Sequence, residues 1–109
     1  MAIGPVDLSD ASRAELIFDL WLNTEPGYDF LSWGASEDGA NFSLVSESGD
    51  TNGWVGRMLD LSNVDGQSFI GKPQVWIAFK FNSDYSITKP VGVLIDQIIL
   101  WRCVGGVCN

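Results

Sequence analysis

Apolar and polar residues alternate along several stretches of this chain. Between residues 74 and 81, Val75, Ile77, Phe79 and Phe81 fall on one side and Gln74, Trp76, Ala78 and Lys80 on the other. That period of two predicts a half-buried strand. Residues 14–23 repeat the pattern, with Leu16, Phe18, Leu20 and Leu22 opposed to Glu15, Ile17, Asp19 and Trp21. Further strands are expected at 28–36, 41–45, 54–61 and 91–101, with a short extended piece at 3–8. Turn residues separate them: Pro26-Gly27, Glu37-Asp38-Gly39, the polar run 47–53 and the Asn/Ser/Asp/Pro stretch 82–90. Residues 63–73 read as a connecting loop whose Val64, Phe69 and Ile70 tuck under the sheet. Six to eight short strands with no convincing helix predict an all-β fold, a sandwich of two antiparallel sheets.

One residue breaks the pattern. On a strand at 91–101, unbroken alternation puts Asp96 on the same face as Leu94, Ile98 and Leu100. A carboxylate aimed into a core must be hydrogen-bonded, ion-paired or bound to a metal. Either a hydrogen-bond network or a cation would serve.

The chain has 109 residues, enough for one domain with a core at about 5–101 and a Cys-containing tail at 102–109. Its formal net charge of −8 opposes nucleic acid and anionic membrane surfaces. It contains no histidine, which removes the commonest general base and the usual nucleophile triads. The many carboxylates suit a hard cation such as calcium instead. No run approaches the ~20 apolar residues of a membrane span, so membrane insertion is not expected. In the tail CVGGVC, Cys103 and Cys108 have two glycines between them that let the chain turn back, so a local disulfide and two free thiols are both open.

The ordered motifs are PVDLS, A-x-L-x-F-x-L-W-x-x-TE-x-GYD, S-x-DG-x-NF, W-x-x-x-x-x-DLS-x-x-x-G, V-x-I-A-F-x-F-x-SD-x-S and GVLID-x-I-x-L. Together, from about Pro5 to Leu100, they resemble the MAM-like jelly-roll modules beside secreted bacterial proteases of the immune-inhibitor-A type, and the related choice-of-anchor modules of surface proteins. The resemblance implies a jelly-roll sandwich without catalytic machinery, acting as an accessory or adhesive module. It also implies a structural cation held by acids at strand ends, which here are Glu25, Asp29, Asp84 and Asp96. Such modules carry further strands upstream of PVDLS. This chain begins almost at that segment, so a strand or two of the sandwich is expected to be missing or supplied by a neighbour. An open edge of that kind could pair two chains, leaving monomer and edge-paired dimer both open.

Sandwiches that bind sugars stack them on exposed aromatic rings, and Trp33, Trp54 and Trp76 are the candidate platforms. The functional expectation is a non-enzymatic binding module excised from a larger secreted or cell-surface protein, with carbohydrate the leading ligand class and calcium a stabilising ion. The alternative is a structural or adhesive domain that docks on a neighbouring protein domain without a small ligand. Paired acids could in principle serve a glycosidase, but nothing in the sequence suggests a catalytic cleft.

Overall fold

The computed structural model describes residues 1–24, 29–82 and 92–108. Eight strands form two four-stranded sheets. They are β1 (Ala2–Val6), β2 (Arg13–Asn23), β3 (Phe30–Ser36), β4 (Ser43–Glu47), β5 (Val55–Asp60), β6 (Val75–Asn82), β7 (Gly92–Val104) and β8 (Val107–Cys108). The first sheet has the order β1-β6-β3-β4 and the second β5-β2-β7-β8, with every pairing antiparallel. Only β3–β4 and β7–β8 are neighbours both in sequence and in a sheet; at every other connection the chain crosses to the opposite sheet. The protein is a two-sheet β-sandwich.

The alternation in β2 survives intact. Ala14, Leu16, Phe18, Leu20 and Leu22 point into the core. From the other sheet Val75, Ile77 and Phe79 of β6 meet them, with Leu31, Trp33 and Ala35 of β3. Phe18 sits between the layers, edge-on to Trp33 at 5.4 Å and to Phe79 at 5.1 Å between ring centroids. This edge-to-face geometry sets the positive ring edge against a negative ring face. The connecting loop behaves as its sequence requires: Val64 and Phe69 are fully buried and close one end of the core with Leu8 and Leu61.

Polar contacts close the remaining openings. At the end where β2 finishes, the Thr24 amide donates to the Gly49 carbonyl, and the Thr24 hydroxyl both accepts from the Gly49 amide and donates to its carbonyl. Along one side, Arg57 of β5 donates through Nε and Nη2 to both carboxylate oxygens of Glu47 on β4, at 2.8 and 2.7 Å. That fork joins the edge strands of the two sheets. At the tail, Gly105 and Gly106 both have positive φ and make the two-residue turn between β7 and β8. The turn sets Cys103 directly opposite Cys108, and the two are joined in a disulfide.

The strand at β7 departs from the expected single register. Its inward residues are Val93 and Ile95, then Ile98 and Leu100. The parity changes at Gln97, whose φ of 52° lies in the left-handed region. There the pairing with β2 slips, since Ile17 faces Ile99 but Asp19 faces Asp96. This is a β-bulge, one extra residue that reverses which side the later side chains take. Asp96 therefore lies before the reversal and points outward, exposed to solvent. The expectation of a core-facing carboxylate is corrected by this one residue.

Candidate functional site

The bulge and the register together lay out the outer face of β5, β2 and β7 as rows. Ladder pairing sets Met58, Ile17 and Ile99 side by side in one row. The next row holds Gly56, Asp19 and Asp96. Beyond it Trp21 pairs with Leu94, and the Trp54 ring meets Trp21 at the start of β5. Successive rows on one face of a sheet are about 6.6 Å apart. Two apolar rows thus flank an acidic one.

Each member follows from local sequence. Ile17, Asp19 and Trp21 are the odd positions of β2 and face away from the leucines in the core. Gly56 brings no side chain to β5, and an added Cβ there would meet nothing within 4 Å. Between Met58, Gly56, Asp19 and Ile99 lies a shallow depression of about 360 Å³. The Trp21 and Trp54 rings lie 5.8 Å apart at 79°, so one presents a face and the other an edge. They are 40% and 49% exposed. With Ile17, Met58, Leu94 and Ile99 also exposed by a third or more, this is an unusually apolar solvent-facing sheet. Among the described residues no salt bridge reaches Asp19 or Asp96, although Arg57, held by Glu47, also lines the depression; Asp96 accepts the Gln97 amide, at 2.8 Å.

The three expected tryptophan platforms have different fates. Trp54 lies on this face. Trp33 is 5% exposed and packs against Phe18, so it has no free ring face and is a core residue. Trp76 is half-buried on the outer side of the first sheet, and an added Cβ on Gly39 would lie 3.3 Å from its ring. The turn that carries Gly39 is built around Asp38. Its carboxylate accepts the Ala40 and Asn41 amides, the Asn41 side chain and the Ser36 hydroxyl. These donors, the Asn41 amide first, hold the Asp38 carboxyl well below the usual carboxylate range. Trp21 was not among the expected platforms. Its alternation with the core leucines, on the face of Glu15 and Asp19, was the available signal.

The four acids expected to hold a cation do not all come together. Glu25 and Asp84 lie outside the described residues. Asp29, just before β3, is fully buried and takes part in a polar interaction there. Asp96 faces solvent from the other sheet, four residues inside β7. It does not fit a set built around Asp29, because the β-sheet itself separates its outward carboxylate from the sandwich interior. Among the described residues no three acidic, cysteine or histidine side chains converge. None of the described residues forms a helix long and apolar enough to cross a membrane.

The class that fold and surface define is a small β-sandwich with an exposed, acid-centred aromatic face on one sheet. No family model matches the sequence, and no curated protein matches it either.

Proposed function

We propose that this chain is a non-catalytic recognition module that binds carbohydrate on the outer face of β5, β2 and β7. The observation that carries the reading is the exposed Trp21–Trp54 pair, Trp21 on β2 and Trp54 just before β5. Aromatic rings offer the apolar faces of sugars a large contact at small entropic cost, and here the Trp21 ring is carried by a strand and the Trp54 ring packs against it. Asp19 and Asp96 beside them can accept hydrogen bonds from sugar hydroxyls. The MAM-like resemblance of the sequence agrees with this reading, and with it we propose a place in a larger secreted protein, whose oxidising compartment the disulfide would suit. Screening a glycan array with the wild-type chain and with Trp54→Ala tests it. Signals that disappear in the variant support it, and a blank array removes it.

A second reading, a structural or adhesive domain docking on a neighbouring protein, is favoured by the aliphatic part of the same face. Ile17, Met58, Leu94 and Ile99 are what a protein partner would bury. Calcium enters the proposal through Asp29 among the described acids, with Glu25 and Asp84 as its companions and without Asp96. Melting curves in calcium and in EDTA that coincide would exclude it.

A further inference from the structure

We propose that the ligand of this face is a glycan bearing protonated amines, with an ammonium group seated between Asp19 and Asp96 and sugar rings against Trp21 and Trp54. The inference rests on the carbohydrate reading above and narrows its ligand class.

The argument is one of charge complementarity on an otherwise apolar surface. Asp19 and Asp96 are direct cross-strand partners pointing out of the same sheet. Side chains so placed have Cβ atoms about 5 Å apart, and like charges there repel. Among the described residues neither has an ion-pair partner, although Glu15, Glu37, Glu47 and Asp10 each have one; Arg57 also lines the depression, but its guanidinium is held by the fork to Glu47. A neutral sugar hydroxyl can bond to one carboxylate but leaves the repulsion in place. An ammonium group between the two removes it and donates to both. The depression left by Gly56 gives that group access beside Asp19, and the apolar rows on either side exclude part of the water that would screen it.

The same charges exclude other occupants. A uronate or sulfated glycan would meet the carboxylates with its own negative charge, on a chain whose net charge is −8. A second copy docking face to face would stack the acidic row on itself.

Two variants probe the site without threatening the fold. Asp96→Asn keeps size and shape and removes one charge. Gly56→Leu fills the depression at a position where an added side chain has open space. Titrating the wild-type protein with a soluble glucosamine oligomer and with its N-acetylated counterpart of equal length should show the amine form binding more tightly by up to about fivefold, the gain expected from one well-made surface ion pair. That preference should shrink in 0.5 M salt and be lost in the Asp19→Asn/Asp96→Asn variant. Gly56→Leu should weaken binding of the amine form. Asp65→Asn, which removes an acid elsewhere on the surface, should leave the preference intact. Equal binding of both oligomers, or tighter binding of the N-acetylated one, overturns the amine proposal while carbohydrate binding stands. A lysine oligomer of the same charge that competes equally well also overturns it, because charge alone then explains the effect. Failure of both oligomers and of every neutral glycan overturns the carbohydrate reading with it.

Discussion

Asp19 on β2 stands directly opposite Asp96 on β7, two carboxylates side by side on the outer face of one sheet. Cross-strand like charges destabilise a sheet by up to about 1 kcal/mol. Asp19→Asn is therefore expected to raise stability by a few tenths of a kcal/mol in low salt, with the gain fading as salt screens the pair. Urea denaturation at two ionic strengths measures this. A variant less stable than wild type at low salt would show that Asp19 has a structural partner.

The bulge that follows Asp96 and turns Ile98 and Leu100 inward depends on Gln97 and its left-handed backbone. Glycine adopts that conformation without penalty, and β-branched residues resist it. Gln97→Gly should be neutral or stabilising by about 0.5 kcal/mol, and Gln97→Val destabilising by about 1–2 kcal/mol. Thermal unfolding of both variants decides the point. Equal melting temperatures would argue that residue 97 is not left-handed.

The Arg57–Glu47 fork is the half-buried ion pair that joins the two edge strands. Bidentate geometry makes such a pair worth more than a typical surface contact. A double-mutant cycle with Arg57→Ala and Glu47→Ala should return a coupling of about 1 kcal/mol. Additive losses would mean that the fork adds nothing to stability.

Asp38 organises the β3–β4 turn, and its folded-state carboxyl is held below the ordinary value of 3.8 by the amides and side chains that donate to it. A depressed carboxyl contributes stability that is present above the unfolded pKa and lost as the pH falls through the folded one. The stability gap between wild type and Asp38→Asn should thus be constant from pH 7 to pH 5 and close below about pH 4. Denaturation midpoints at pH 7, 5 and 3 provide the comparison. A gap that persists unchanged at pH 3 would contradict the assignment.

Much of the sandwich was legible in the sequence because its central strands alternate cleanly. In β2 every second residue is a large aliphatic or Phe, and only one register buries them all. β6 reads the same way until Phe81, which is 41% exposed near the strand's end. Other features were not legible for identifiable reasons. β3 is buried on both faces along most of its length, so alternation could not say which way Trp33 points. The bulge at Gln97 carries no glycine or asparagine to announce a left-handed residue, and missing it moved Asp96 from the surface to the core. The acidic row on the outer face depends on pairings between β2, β5 and β7, which lie far apart in the chain. The disulfide was one of two open readings; the Gly105-Gly106 turn and the Cys103–Cys108 pairing decide it.

The central claim is that the outer face of β5, β2 and β7 binds carbohydrate through its tryptophan pair. The most direct measurement is calorimetric titration of the wild type, Trp54→Ala and Trp21→Ala with a glycan that the wild type binds. Both rings are partly exposed and neither belongs to the core cluster, so the variants should stay folded and lose at least about tenfold in affinity, the equivalent of about 1.4 kcal/mol. Unchanged affinity in both folded variants would place the binding surface elsewhere and contradict the account.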